Sequence, residues 1–194
     1  MAGRQLNFDY NAALKAAMGV FWERGYEASS VQDLLEAMNI PKGSLYNTFK
    51  SKDELYTRAL QYYRETVASS LLEKLEGSGS RVEAIREFFR SVISVSIEDG
   101  SKGCLMLGAA VEHASQQNRF FALASDTFSL IEQALNRELE VAKERGELKR
   151  DSDPVEIARY LMSLFYGIRI QAAMGVTQAQ LEKMVELALS ETLA

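Results

Sequence analysis

Apolar residues recur at every third or fourth position along most of the chain, which is the spacing of helices that bury one face. In the first block, from about residue 8 to residue 24, Leu14, Met18 and Phe21 share one side, and Gly25 stands where such a helix would end. No segment shows the alternation of apolar and polar residues that is typical of strands. The pattern therefore predicts an all-α fold of about nine helices.

Capping residues indicate where the helices begin. A serine or threonine followed three residues later by an acid or an amide occurs at Ser30, Ser51 and Thr177. Pro41 is predicted as the first residue of the third helix, because its missing N–H would have no partner there. Ser152 is predicted as the cap of the penultimate helix. The predicted helices occupy about residues 8–24, 31–38, 41 onward, 52–75, 82–97, 104–114, 118–145, 154–173 and 177–192.

Only Asn39 and Ile40 separate the second and third helices, which is the short connection of a helix-turn-helix motif. In the third helix Leu45 and Phe49 are four residues apart and face inward. The opposite side carries cations, a glycine, an aromatic ring and an amide, namely Lys42, Gly43, Tyr46, Asn47 and Lys50. Such a stripe suits the major groove, because lysine and tyrosine reach phosphates and asparagine bonds base edges. An ordinary solvated helix face is the alternative interpretation of the same residues.

Charge changes this picture little. The whole chain of 194 residues has a net charge of −5, which argues weakly against a nucleic-acid partner. Between residues 39 and 52, however, there are three lysines and no acid. A local cationic segment within an acidic chain is compatible with DNA binding.

Several classes of protein are disfavoured by composition. No apolar run approaches the roughly 18 residues of a membrane span, and the N-terminal residues lack the apolar stretch of a secretory signal. One cysteine cannot form an internal disulfide and is compatible with a reducing cytoplasm. There is no phosphate-binding glycine loop and no His or Cys spacing typical of a metal site. We therefore expect neither an enzyme nor a cofactor or metal, and no membrane partner.

The run from residue 21 to residue 55, FWERGYEASSVQDLLEAMNIPKGSLYNTFKSKDEL, closely resembles the N-terminal domain of the tetracycline-repressor (TetR) family. Asn39 stands where that family usually has glycine, and asparagine tolerates the positive φ of such a turn. The resemblance implies a cytoplasmic, homodimeric transcription regulator, usually a repressor, that a small ligand releases from a near-palindromic operator. It also implies a helix-turn-helix domain over residues 1–51 and a helical effector-binding and dimerisation domain over residues 52–194.

The resemblance assigns DNA contacts residue by residue. It implies phosphate contacts from Ser30, Tyr46 and Lys52, base contacts from Gln32 and Asn47, and positions at the groove for Lys42, Gly43, Ser44 and Thr48.

Apolar stripes on the last two predicted helices are candidates for a dimer interface. Their residues are Leu161, Leu164, Phe165, Ile168, Leu181, Met184 and Ala188, and Gly167 among them would let another helix come close. Periodicity alone fits intrachain core equally well, and the resemblance favours a four-helix contact across a two-fold axis.

Apolar residues of the middle helices are candidates for the wall of an effector pocket. They are Phe88, Phe89, Val92, Met106, Phe128 and Tyr166. They suit a mostly apolar effector, and filling the core is the alternative for each of them.

Cys104 raises a different hypothesis. It is predicted at a helix N-terminus beside Lys102, where the helix dipole and the cation would both favour a thiolate. That arrangement suggests a repressor switched by an oxidant or electrophile, and a small buried packing residue is the alternative. His113 is expected at the surface or in a polar part of the core, and Arg169 as a snorkelling or interface-paired residue. A helical interaction protein that has lost DNA binding remains the other functional alternative.

Overall fold

The computed structural model of the protein describes residues 8–76, 79–149 and 151–193. The first seven residues of the predicted N-terminal domain and residues 77, 78, 150 and 194 lie outside the described residues. The helices are α1 (Tyr10–Ala28), α2 (Val31–Met38), α3 (Lys42–Phe49), α4 (Lys52–Tyr63), α5 (Ser69–Leu72), α6 (Arg81–Glu98), α7 (Leu105–Glu112), α8 (Arg119–Glu144), α9 (Pro154–Ala173) and α10 (Gln178–Thr192). The all-α prediction is confirmed, and the described residues form nine helices when α5 is counted with α4.

Helices α1 to α3 form a small helical unit, called the reading head below. α1 is interrupted at Gly25, whose φ of +79° suits glycine, where the sequence pattern predicts the helix end. Ser30 and Asp33 form the predicted capping box at the start of α2. Asn39 adopts the left-handed conformation with φ +50°, as its tolerance of positive φ predicts.

The third helix begins one residue later than predicted. Pro41 is its N-cap, with extended backbone at φ −71° and ψ 153°, and Lys42 is the first helical residue. Two N–H groups, those of Ser44 and Leu45, donate to the Pro41 carbonyl oxygen at 2.9 and 3.3 Å. Proline suits this position because its fixed φ is also compatible with the extended residue that precedes a helix.

The reading head is held by its own apolar core. Leu45 and Phe49 of α3 are fully buried with Leu14, Phe21 and Leu34 of α1 and α2. Burying each large apolar side chain contributes about 1.5–3 kcal/mol. α3 is therefore fixed in orientation by one face, which leaves the other face free.

The long helix predicted over residues 52–75 is present but irregular. α4 passes into a π-helical segment (Arg64–Ala68), then α5, then a 3-10 turn (Glu73–Glu76). Ser51 caps α4 by accepting the Glu54 N–H at 3.1 Å, whereas the Ser51 N–H donates to the Phe49 carbonyl. π-Helical segments inside helices are frequent at functional sites.

The remaining helices form a larger bundle, called the effector domain below. α6, α8 and α9 pack on one another, α10 packs on α6 and α9, and α7 lies between α8 and the reading head. The cap of α9 is Asp153, which accepts the Val155 N–H at 2.9 Å, and the prediction of Ser152 was wrong by one residue. Leu148, after α8, and Leu193, after α10, form an isolated antiparallel bridge. Within the described ranges, no helix combines the length and apolarity of a membrane crossing.

Candidate functional site

The outer face of α3 is open to solvent. Lys42, Gly43, Tyr46 and Asn47 are exposed, and the Tyr46 ring keeps 42% of its surface accessible although large aromatic side chains are usually covered. A Cβ atom added to Gly43 would meet nothing within 4 Å. No packing inside the chain therefore requires a glycine there, and close approach by something outside the chain remains a reason for it.

Lysines surround this face. Lys50 has a φ of +70°, and its ammonium group donates to the Asn47 carbonyl oxygen at 2.8 Å. The Lys52 ammonium lies 4.3 Å from the centroid of the Tyr26 ring, in a cation–π contact. Together with Lys42 these cations form a positive rim at both ends of α3, suited to phosphates on either side of a groove.

Ser44 and Thr48 are half-buried, between the outer face and the core. The Ser44 N–H is already bonded to the Pro41 carbonyl. The side-chain hydroxyl groups of Ser44 and Thr48 are therefore the groups of these residues that can hydrogen-bond to DNA.

The two predicted contacts on α2 are engaged with carboxylates. The Ser30 hydroxyl donates to Asp33 at 2.6 Å, and Gln32 Nε2 donates to Glu36 Oε1 at 2.8 Å. Hydrogen bonds from Ser30, with a further contribution from Arg24, lower the pKa of Asp33, so an anion stands beside Ser30. Contact with DNA by Gln32 requires its bond to Glu36 to be exchanged for one to a base.

A second candidate site is a small cavity inside the effector domain. Its volume is about 10 Å³, the room of a single water molecule. The wall comes from α4, the π-helical segment, α5, α7, α8 and α9, and consists of Tyr63, Val67, Ala68, Leu71, Cys104, Met106, Thr127, Phe128, Ile131, Phe165 and Arg169. Of the residues predicted for an effector pocket, Met106 and Phe128 lie on this wall.

The other predicted pocket residues lie elsewhere in the core. Phe88, Phe89 and Val92 are fully buried on α6 and do not line the cavity. Tyr166 is half-buried and packs edge-on against Phe128, with ring centroids 5.1 Å apart. Of the six residues predicted for the pocket, only Met106 on α7 and Phe128 on α8 therefore line this cavity.

Arg169 is the polar centre of this region. Its side chain is 1% exposed, and its guanidinium group donates to Tyr63 at 2.7 Å, Ser96 at 3.0 Å and Asp99 at 3.2 Å. A further bond reaches the Gly103 carbonyl at 3.2 Å. Its Nε atom makes no hydrogen bond within the described part of the chain. The expectation of a snorkelling or interface arginine was wrong, because the partners all belong to the chain's own interior.

Burial also acts on the partners of Arg169. Desolvation raises the pKa of Asp99 above its usual value, although the neighbouring guanidinium opposes the rise. Desolvation likewise raises the pKa of the Tyr63 hydroxyl. The hydroxyl is therefore a neutral donor and acceptor at physiological pH.

Cys104 is the N-cap of α7 and lies on the cavity wall. It is 9% exposed, and the Tyr63 hydroxyl is 3.6 Å from its sulfur. Lys102, the cation expected to support a thiolate, forms an ion pair with Glu23 at 2.9 Å. The cation that shares the cavity with the thiol is Arg169.

The stripe predicted as a dimer interface faces the chain's own core. Five of its residues are at most 5% exposed, namely Leu161, Phe165, Ile168, Leu181 and Ala188. Leu164 and Met184 are half-buried. The five buried side chains are covered within one chain, because α9 packs on α6 and α8 and α10 packs on α6 and α9. An interface at Leu164 and Met184 stays a prediction.

The opposite side of α9 and α10 exposes four large apolar residues among polar ones such as Arg159 and Glu186. Tyr160 and Ile170 are each 49% exposed, Leu187 is 67% exposed and Met174 is 78% exposed. Gly167 lies between Tyr160 and Ile170, and a Cβ there would meet nothing within 4 Å.

Sequence reasoning missed several residues of the site. Tyr63, Asp99 and Thr127 were not recognised, although a polar residue in the buried register of a helix is a usable signal. Glu112, which contacts the reading head, was also missed, since its partners are more than 80 residues away. Searching the described residues for three clustered metal-ligating side chains finds no such group.

Models of two domain families match the sequence. The first describes bacterial regulatory proteins of the tetR family and matches residues 13–59. The second describes the tetracyclin repressor-like C-terminal domain and matches residues 80–189. Together they cover both the reading head and the effector domain.

Individual relatives agree with these matches over nearly the whole chain. The HTH-type transcriptional regulator YezE of Bacillus subtilis (strain 168) is 33% identical over 193 residues, covering 97% of this chain and 98% of its own. The HTH-type transcriptional repressor ComR of Escherichia coli (strain K12) is 29% identical, covering 96% and 88%. A cysteine mutant of the TetR-family regulator CifR, solved with 26-base-pair double-strand operator DNA, superposes with a TM-score of 0.85 at 31% identity, covering 96% and 98%.

Proposed function

We propose a function from one premise: the chain belongs to the tetR family of bacterial regulatory proteins. It is a DNA-binding transcriptional regulator. We propose that it represses transcription by binding a near-palindromic operator, and that a small effector releases it. The observation that carries the proposal is the exposed, cation-rimmed outer face of α3 on a helix whose inner face is buried. ComR, which is related over most of its length, is named a repressor.

The DNA contacts belong to the outer face of α3 and its rim. Lys42 and Lys52 hold phosphates at the two ends of the helix, and the Tyr46 hydroxyl holds a third. Asn47 reads a base edge, and Gly43 lets the backbone approach the groove. Ser44 and Thr48 add hydroxyl contacts, and Gln32 and Ser30 contribute from α2.

The division into a DNA-binding domain of residues 1–51 and an effector domain of residues 52–194 is part of the proposal. The burial of α3 against α1 and α2 supports it. The first family match ends at residue 59, inside α4, and α4 packs on both units. α4 is therefore the structural link between them. A regulator that binds an operator works in the cytoplasm, beside the chromosome.

We propose a homodimer through the open face of α9 and α10. Tyr160 and Ile170 lie on that face of α9, Met174 is the residue that follows α9, and Leu187 lies on that face of α10. Gly167 costs about 1 kcal/mol relative to alanine in a helix interior, and no neighbour in the chain requires its small size. Close approach of a second copy accounts for both observations. Two reading heads would then contact half-sites about 34 Å apart.

The effector is small and mostly apolar, and its site is the cavity beside Arg169. The wall is largely hydrocarbon and aromatic, with the free Nε of Arg169 and the Tyr63 hydroxyl as polar groups. Because the cavity has room for about one water, an effector enters only if the wall moves. The π-helical segment contributes Val67 and Ala68 to that wall, and its irregular hydrogen bonding suits a movable part.

A thiol switch at Cys104 is the second candidate function. The observation in its favour is that the sulfur lies on the cavity wall beside Tyr63 and Arg169, the polar centre of the domain. An adduct or oxidised sulfur would need more room than the cavity has, and would move the wall as an effector does. Burial of the thiol and the pairing of Lys102 with Glu23 argue against high reactivity.

Salt dependence of operator binding tests the proposed interface. Lys42→Ala should weaken binding and lower the slope of log K against log salt by about 1, since one phosphate contact is lost. Lys143→Ala, at an exposed lysine near the end of α8, is the matched control and should change neither quantity. Equal affinity and slope for Lys42→Ala and the parent would remove Lys42 from the interface.

A further inference from the structure

The chain breaks α1 just before it enters the turn to α2. Gly25 has φ +79° and ψ 174°, which no α-helix contains, and the helical turn that follows starts anew. The first N–H groups of a helical turn have no partner within the helix. Tyr26 and Glu27 supply such groups here.

A carboxylate from the effector domain accepts both of them. Glu112 Oε2 lies 2.9 Å from the Tyr26 nitrogen, and Glu112 Oε1 lies 2.8 Å from the Glu27 nitrogen. A Cβ atom at Gly25 would come within 3.1 Å of Glu112 Oε2, so the glycine also provides the space for this contact. Glu112 thus caps the last turn of α1 from another part of the fold.

Glu112 is the last residue of α7, and the other end of α7 lies at the effector cavity. Cys104 caps that end, and Cys104 and Met106 are on the cavity wall. A helix of eight residues is about 12 Å long. One short rigid element therefore runs from the cavity to the reading head.

A separate cavity of about 130 Å³ lies between α7, α1 and α4, where Gly108 and Ala109 face Trp22 and Tyr56. Beyond Glu112, the His113 ring packs against Tyr26 with centroids 5.4 Å apart. The reading head is also bonded just before α7, where Trp22 Nε1 donates to the Gly103 carbonyl oxygen at 3.2 Å and Glu23 pairs with Lys102 at 2.9 Å. Contacts with the reading head therefore flank this cavity at both ends of α7.

We propose that Glu112 is a positioning residue for operator binding: its carboxylate holds the reading head against the effector domain in the orientation that binds DNA. This inference rests on the proposed function. The carboxylate contact is made in the same structure in which the cavity measures about 10 Å³. Neither Glu112 nor Gly25 contacts DNA in this scheme.

The test compares Glu112→Ala, Glu112→Gln and the control Glu140→Gln, an exposed glutamate on α8. In Glu112→Ala the amides of Tyr26 and Glu27 should exchange with deuterium at least tenfold faster, and the operator Kd should rise about tenfold. The slope of log K against log salt should stay that of the parent, because no phosphate contact is lost. Glu112→Gln keeps one carbonyl acceptor and should fall between alanine and the parent, and Glu140→Gln should match the parent.

Three results would overturn the inference, and they are distinguishable. Unchanged exchange at both amides in Glu112→Ala would mean that the contact does not hold the turn. Faster exchange with a Kd within twofold of the parent would reduce Glu112 to a local cap. If the parent itself selects no DNA, the proposed function fails, and the role of Glu112 in operator binding fails with it. The exchange data would still show whether Glu112 holds the amides of Tyr26 and Glu27.

Discussion

Replacing Arg169 with methionine removes the charge at the centre of the effector domain and keeps most of the side-chain volume. The guanidinium group now donates to Tyr63, Ser96 and Asp99 from a fully buried position. After the substitution the half-buried Asp99 carboxylate has lost its cation, and its pKa is already raised by burial. The Tyr63 hydroxyl at the same time loses the hydrogen bond that it accepts from the guanidinium group.

The expected loss follows from this burial. Removing one partner of a buried ion pair costs about 3–5 kcal/mol, because the other charge is left uncompensated. For a protein of 150–250 residues each kcal/mol lowers Tm by about 2–4 °C. Arg169→Met should therefore lower Tm by about 6–20 °C.

Thermal and urea unfolding followed by circular dichroism measure the effect. Arg159→Met is the matched control, since it lies on the same helix and its guanidinium pairs with Glu132 at 3.7 Å while 71% exposed. An exposed pair contributes about 0–1 kcal/mol, so this variant should unfold within a few degrees of the parent. If Arg169→Met is as stable as Arg159→Met, the buried network does not stabilise the effector domain and the reasoning is refuted.

Three further substitutions test other parts of the structure. Leu45→Ala should lower the free energy of unfolding by about 2–5 kcal/mol in urea titrations, because it opens a cavity under α3; a loss below about 1 kcal/mol would contradict the packing described. Gly167→Arg should fold normally but run as a monomer in size-exclusion chromatography with light scattering, since the space around Gly167 is empty in one chain. A dimer of unchanged stability would place the interface elsewhere. Cys104→Ser should abolish any release from the operator by thiol-modifying agents, and an unchanged response would eliminate the thiol switch.

Local signals in the sequence predicted the helices well. The capping boxes at Ser30 and Thr177 were correct because both partners lie within four residues of each other. The one-residue errors at Pro41 and Ser152 have a local cause as well. Proline fits both the N-cap and the first turn, and Asp153 caps as readily as the serine before it.

The face of α9 proposed here for the dimer contact could not be predicted from periodicity. Leu161 and Tyr160 are neighbours in sequence and both apolar, and periodicity shows which residues share a side but not which side faces the core. The resemblance to a dimeric family favoured an interface on these helices but did not choose between their faces. Only the packing of α9 on α6 and α8 shows that Leu161 is inside and Tyr160 outside.

The cavity and the Glu112 contact depend on tertiary structure. The wall of the cavity combines Tyr63, Met106 and Phe128 with residues of α9, and no short-range pattern links them. Glu112 is one of many glutamates on helices, and its role depends on the break at Gly25 more than 80 residues earlier. The outer face of α3 was predictable because a single short helix carries it.

The most direct test of the account is selection of random duplexes by the purified parent protein and by Asn47→Ala at moderate salt. The parent should select a near-palindromic motif, with half-site centres about 34 Å apart. Asn47→Ala should select the same motif with relaxed preference at one symmetric pair of positions, since a lost base contact relaxes specificity where it acts. No enrichment by the parent would contradict the account and favour a helical interaction protein, and an unaltered motif for Asn47→Ala would show that Asn47 reads no base.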